Sequence, residues 1–509
     1  MPRLIAATVC ALLIWELFRL NREAGVRTSK ALWIPCTWLF FAASRNVSEW
    51  LRRGPSGSSE YTEGSPLDRA VFTAILALGV IVLFGRSRRV GKLLQSNFPI
   101  LIYFLYCGIS IFWSDFPDVS FKRWFRAWGD VVMVLVVLTD ANWLAAFRRL
   151  FARVGFLLVP ISILFIRYIP EYGRFYSRGG ETTWTGVATD KNALGMLCMI
   201  FGLAAVFRFL QIYRGEESTR RTGPLFAQGT IIMMAIYLLL TAHSATALSC
   251  FFLGGVPMAL TYLYGWARKP AFVHLMVFGL LGVAFSALFL NVGTGMVEDL
   301  GRNSTLTGRT AIWSGALGIA QNPLLGTGFE SFWVGPRPIK LESVIHMRLN
   351  EAHNGYIEVF LNLGWLGVTL LTVLLVTAYR RIVFAVRSRA PVASLRLAFF
   401  ITVIAYNFTE AGFKVMHPMW IILLLITMMI SEDPFPKYLS PLGLDRADDL
   451  AERQPEDARS YIPSKLGGPP RSVFIAKFCN SADRLKHTFQ KRLQIPLPAP
   501  GLSRWDGPS

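Results

Sequence analysis

The chain has 509 residues, of which 53% are hydrophobic and 17% charged, and its net charge is +20. A soluble protein of this size carries roughly 25% charged residues. A helix needs about 20 mainly apolar residues to cross a bilayer, and apolar runs close to that length recur here, so an all-α polytopic integral membrane protein is expected and a soluble enzyme is excluded. The dyad alternation of a β-barrel is absent, and no interleaved basic and aromatic module argues for nucleic acid as a partner.

In chain order the expected spans are 4–18, 31–44, 69–85, 98–113, 128–145, 152–169, 192–211, 229–243, 246–265, 271–291, 358–379, 396–410 and 418–431. Runs 31–44 and 396–410 are short, so the count is twelve or thirteen. The first run is followed by Arg19, Asn21 and Arg22 without a small-x-small cleavage site, which favours an uncleaved span over a signal peptide. Basic residues gather in 86–92, 148–153, 214–221, 268–269 and 380–396, all on one side of the span list. The positive-inside rule makes that side cytoplasmic. The opposite loops, 45–68, 114–127, 170–191, 292–357 and 411–417, then face the periplasm, with Trp113, Trp124 and Trp128 as an interfacial belt.

Loop 292–357 is too long to be a mere connector. Within it Ile312, Trp313, Leu317 and Ile319 recur at helical spacing, as in an amphipathic helix lying on a membrane. Residues 1–431 form the membrane domain, and 432–509, rich in Pro, Arg, Asp and Ser, read as a mostly disordered cytoplasmic tail. Five of the six cysteines lie in apolar runs, and none has CxxC or zinc spacing.

Three periplasmic segments carry the polar chemistry. In "YGRFYSRGGETTWTGVATDKNALG", Arg174, Arg178 and Lys191 stand beside a helix start, which suits an anion; the alternative is a set of solvated loop charges. In "NSTLTGRTAIW", Thr307 is a candidate cap, and Arg309 opposes the helix dipole unless an anion shares its place. In "EAHNGYIEVFLNLGWLG", Asn354 is a candidate N-cap, His353 stands just outside the helix, and Glu351, Tyr356 and Glu358 surround it. An unperturbed histidine exchanges a proton near neutrality. His243 and Ser244 read as helix-end residues, and Glu410 and Lys414 as an i,i+4 ion pair. No Walker A, GxSxG, HExxH or outer-loop DxD pattern occurs. The expectation is metal-free, cofactor-free chemistry on a phosphate-bearing lipid.

"GVATDKNALG", "TGRTAIWSGALGIAQNPLLGTGFESFW" and "AHNGYIEVFLNLGWLGV", in that order, resemble the O-antigen ligase and polymerase superfamily (Wzy/WaaL type). "SRNVSEWL" is more similar to its exopolysaccharide-production, ExoQ-like branch. The resemblance implies a GT-C-like inner-membrane glycosyltransferase that uses undecaprenyl-pyrophosphate-linked oligosaccharides on the periplasmic face, without a metal. It also implies that Arg309, with Arg174 or Arg178 and Lys191, holds pyrophosphate and that His353 activates the acceptor. Asn354 and Glu358, next to His353, are expected to bind substrate as well. The expected function is polymerisation of lipid-linked repeats into exopolysaccharide by inverting transfer, with a flippase and a chain-length regulator as partner proteins. The rivals are a ligase moving finished glycan to a lipid or protein, and a flippase or transporter. A transporter would place ionisable residues near mid-membrane, whereas Glu16 and Asp140 lie near span ends.

Overall fold

Long apolar runs fold as helices because a helix satisfies every backbone polar group within the run, as hydrocarbon surroundings require. The computed structural model describes residues 2–22, 27–51, 65–176, 182–215, 222–289, 305–345 and 350–428. Arg178 and the proposed tail therefore lie outside the described residues. Helices of ten residues or more are α1 (Arg3–Leu20), α2 (Trp33–Ala42), α3 (Pro66–Phe84), α4 (Ser87–Ser96), α5 (Phe98–Ile109), α6 (Pro117–Leu138), α7 (Trp143–Tyr168) and α8 (Lys191–Arg214). They continue as α9 (Thr222–Ala242), α10 (Ala245–Leu263), α11 (Pro270–Phe289), α12 (Thr305–Gly318), α13 (Pro336–Ile345), α14 (Gly355–Arg387), α15 (Ala393–Tyr406) and α16 (Pro418–Met428). Among the described residues the strands are β1 (Arg174–Tyr176) and β2 (Thr182–Trp184), an antiparallel pair. The protein is an all-α polytopic membrane protein.

Every expected span falls on a helix, yet fewer meet a strict length and apolarity requirement. Helices α3, α7, α8, α9, α10 and α14 do so singly, and α4 with α5 forms a seventh candidate across an 87° bend. Shorter apolar helices are Lys30–Ala42, Pro270–Ser286, Ala393–Tyr406 and Pro418–Met428. Charge in α1 (Arg3, Glu16, Arg19) and in the first half of α6 (Asp118, Lys122, Arg123, Arg126) accounts for the rest of the difference from twelve or thirteen.

Three expectations are corrected. The run 128–145 is not one helix: α6 ends at Leu138, and Asn142 caps α7 by accepting from Ala145 N at 3.1 Å. Arg148, Arg149 and Arg153 lie within α7, not in a loop, and Arg396 is buried in α15 with Nε donating to Ile426 O at 3.1 Å. The apolar face of α12 is not spread on a surface. Ile312, Trp313 and Ala316 bury against Phe332, Leu341, Ala352 and Leu361.

Helix α14 is broken at Gly364 (φ 62°, ψ −167°). The freed backbone groups are met by "NPLLGTG". Trp365 N donates to Pro323 O at 2.8 Å and Leu366 N to Leu324 O at 3.2 Å, while Thr327 N and Gly328 N donate to Leu361 O and Asn362 O. A broken helix at membrane depth is tolerated where protein supplies such partners. A Cβ on Gly364 would stand 2.3 Å from Leu324 backbone atoms, so any larger residue would push this loop away.

Candidate active site

The third polar segment is fixed from several directions. Asn354 caps α14, its Oδ1 accepting from Tyr356 N at 3.0 Å and Ile357 N at 3.1 Å, while its Nδ2 donates to Phe408 O at 3.1 Å. Gly355 N donates to Asn407 O and Glu410 O, which stitches segment 407–417 to the start of α14. Trp313 Nε1 donates to Ala352 O at 2.8 Å, so α12 holds the residue before His353. Buried Glu358 accepts from Trp333 Nε1 at 2.9 Å and from Ala352 N, bracing the same turn from below.

Glu410 gathers the motifs into one centre. Its side chain is 7% exposed. Oε1 accepts from Arg309 Nη2 at 2.9 Å and from Asn192 Nδ2 at 3.1 Å, and Oε2 lies 3.4 Å from His353 Nδ1. His353 Nδ1 is also 2.9 Å from Glu351 Oε1, and Lys414 Nζ pairs with Glu351 Oε2. The buried Nδ1 is aligned for a hydrogen bond with neither carboxylate, so its contact is charge pairing shared between the two. Three cations and two carboxylates thus alternate as Arg309, Glu410, His353, Glu351, Lys414.

The neighbours set the proton states. Glu351, then Glu410, push the His353 ring up to about 9 against the opposing effect of burial. The ring is an imidazolium at neutral pH. Burial alone would raise Glu351, but Lys414 and His353 bring it well below the ordinary carboxylate range. Nearby His417 behaves oppositely: burial, helped by Lys414, lowers it to about 3 and keeps it neutral.

The backbone around the centre is strained. His353 (φ 51°), Glu330 (φ 53°) and Met416 (φ 56°) occupy the left-handed region that L side chains seldom adopt. Such strain clusters where surrounding structure over-determines a functional geometry. The restraints are visible: Met416 N donates to buried Asp130 at 3.0 Å, Val415 N to Glu330 Oε1, and Arg123 to Glu330 O.

Of the expected site residues, Arg309 and His353 meet at Glu410, and Asn192 of the first segment joins them. Lys191 opens α8 and is exposed, but the amides of that helix start are taken by Asp190, which accepts from Asn192 N at 2.8 Å and Ala193 N at 3.0 Å. Arg174 stands in β1, its Nε donating to Ile166 O and its guanidinium 4.6 Å above Trp184. Both polar ends of Asn354 and both oxygens of Glu358 are engaged within the protein. Thr307 is no cap, since α12 begins at Thr305. Ser244 stands at the N-cap of α10 without a side-chain cap bond. The expected Glu410–Lys414 pair is replaced by Glu410–Arg309 and Glu351–Lys414, because 407–417 is irregular and helical i,i+4 spacing does not apply there.

One donor atom from each of Glu351, His353 and Glu410 lies within 4.8 Å of the others, a spacing that a divalent cation can bridge. Arg309 and Lys414 already face those carboxylates. Downstream of the second segment, "NPLLGTGFESFW" contributes Phe329, Glu330 and Trp333 to a small cleft of about 40 Å³ beside Glu351 and Lys414. The "SRN" arginine, Arg45, donates to Tyr172 O, Gly186 O and Ala188 O, and so fixes the turn before Asp190.

Residues 229–372 match the O-antigen ligase family (Wzy_C). This stretch is similar to that family. Over 294 residues the chain is also 31% identical to the exopolysaccharide production protein ExoQ of Rhizobium meliloti (strain 1021). That likeness takes in 55% of this chain and 64% of ExoQ. The matched stretch contains Arg309, Glu351 and His353, whereas Asn192, Glu410 and Lys414 lie outside it. The centre is therefore completed by α8 and by the turn between α15 and α16.

Proposed function

We propose that the chain is a glycosyltransferase of exopolysaccharide production that polymerises undecaprenyl-pyrophosphate-linked repeats on the periplasmic face. The supporting observation is the convergence of three separated polar segments on buried Glu410. A sugar hydroxyl oxygen attacks the anomeric carbon of the donor, the bond to pyrophosphate breaks, and the hydroxyl proton must leave. Direct displacement inverts the anomeric centre. Cations placed where charge develops stabilise the leaving group, and a guanidinium can meet phosphate oxygens as a fork. Arg309 supplies that fork. His353, charged at rest, orients the acceptor hydroxyl first. To accept the acceptor's proton it must pass its own to Glu410 or Glu351, so the alternating charge row works as one acid–base unit. Arg309 and Lys414 already neutralise the two carboxylates, which supports a centre that runs without a metal.

A second reading, transfer of a finished glycan to a lipid or protein acceptor, is favoured by the ligase description of the matched domain. Deletion of the gene followed by glycan analysis separates the two. Accumulated single lipid-linked repeats support the polymerase, and long lipid-linked chains support the ligase. Arg309→Ala, inserted normally and still forming wild-type polymer, refutes both.

A further inference from the structure

Helices that bring polar side chains to the Glu410 centre carry a second charged site at their other ends. Helix α8 runs from Asn192 at the centre to Arg214, α14 from Asn354 to Arg387, and α10 from Thr246, bonded to Thr409, to Leu263. In α8 the 22 steps from Asn192 to Arg214, at about 1.5 Å each, put the two sites roughly 33 Å apart, near the thickness of a hydrocarbon core. At the far end two adjoining clefts of about 370 and 470 Å³ share Gly265, Arg268 and Arg389. Together they are lined by Arg214, Arg268, Lys269, Arg387 and Arg389, and by no carboxylate among the described residues.

These cations differ in what occupies them. Arg214 and Arg268 are committed to the end of α10, donating to Leu263 O at 2.7 Å and to Thr261 O at 2.6 Å. The side chains of Lys269, Arg387 and Arg389 are exposed and make no hydrogen bond or ion pair with another described residue. Arg389 stands in loop 388–392 under strain, with Arg389 at φ 56° and Val392 at φ 54°. Tyr264 and Trp266, about half exposed with rings 5.9 Å apart, stand on either side of the lining residue Gly265 in the chain. Exposed aromatic side chains of this kind favour the headgroup level of a bilayer.

We propose that this cleft is a binding site for a phosphate-bearing anion, of the class carried by anionic lipid headgroups. Like charges held together without a counter-charge are unfavourable unless an anion is present, and basic pockets between helices bind such headgroups. The volume admits a headgroup with two phosphates, and three free cations are enough to neutralise both of its negative charges.

The test uses the full chain in nanodiscs of phosphatidylcholine, titrated with cardiolipin and read by native mass spectrometry. Lys269→Gln/Arg387→Gln/Arg389→Gln is expected to weaken cardiolipin retention at least tenfold, since each basic residue near an anionic surface contributes on the order of fivefold. Arg387→Lys/Arg389→Lys keeps the charge, tests for misfolding, and should retain binding. Arg88→Gln/Lys92→Gln removes exposed charge elsewhere and should change retention less than twofold. Equal weakening by both glutamine sets, or none by the first, overturns the proposal. Competition by inorganic pyrophosphate at equal concentration assigns the cleft to a free phosphate anion; no competition assigns it to the lipid.

Discussion

Glu410→Gln tests the centre most directly. The substitution keeps shape and leaves an amide oxygen for Asn192, but removes the charge that Arg309 meets at 2.9 Å and His353 at 3.4 Å. Breaking a buried ion pair from one side costs about 3–5 kcal/mol, because the remaining charge is left uncompensated. Arg309 retains 18% exposure and is partly solvated, which discounts the cost to just below that range, about 2–3 kcal/mol. If the same loss falls on transition-state positioning, the rate drops about 30- to 150-fold. Polymer output with a defined lipid-linked donor reads the rate, and thermal unfolding in detergent reads the stability. The double variant Arg309→Gln/Glu410→Gln removes both charges. It should unfold at a higher temperature than Glu410→Gln alone, since a neutral pair leaves no buried charge, yet remain inactive. Strictly additive effects on stability, or a Glu410→Gln protein with wild-type output, would show that Glu410 does not organise this site.

Two further outcomes follow from the same geometry. The raised pKa of His353 contributes stability that is full below its unfolded value near 6.5 and is lost as pH rises through about 9. Wild type should therefore lose more thermal stability than His353→Gln between pH 6.5 and 9.5, and parallel curves count against the charged ring. For topology, a reporter after Gly335 should read periplasmic and one after Arg387 cytoplasmic; the reverse result would exchange the faces of both charged sites.

Much of this was legible in the sequence because apolar length and helical spacing are local properties. The apolar runs all overlap helices, with 128–145 divided between two, and Asn354 was readable as a cap from its place before "GYIEVF". The limits are equally physical. Gly364 sits inside an apolar run that reads as continuous, and its break depends on distant backbone groups at 323–328. Glu410 and Lys414 are spaced like a helical ion pair, but Asn407 accepts from Gly412 N and holds the turn in another shape. Their true partners lie about 100 and 60 residues away in sequence, at Arg309 and Glu351, and no local pattern reports such pairings. Lysine and arginine counts did forecast the basic far end of the helices, though not that it encloses a cleft.

The alternation of charges also bears on whether a metal belongs at the centre. Glu351, His353 and Glu410 have metal-ligand spacing, but a ligand must offer a free lone pair, and His353 must first lose a proton. In this chain Lys414 and Arg309 occupy the carboxylates, so a divalent ion would have to displace two cations and a proton. Such competition predicts weak binding in the wild type and activity that survives chelation by EDTA. Lys414→Met frees Glu351 of its fixed counter-charge, relaxes the hold on the histidine proton, and leaves the three donors in place. That variant should gain zinc affinity by about tenfold or more, the equivalent of about 1.4 kcal/mol, measured by calorimetry on the purified protein. Loss of wild-type activity on chelation, restored by one particular metal, would show that the ion outcompetes the cations and that the charge row is a metal site in waiting.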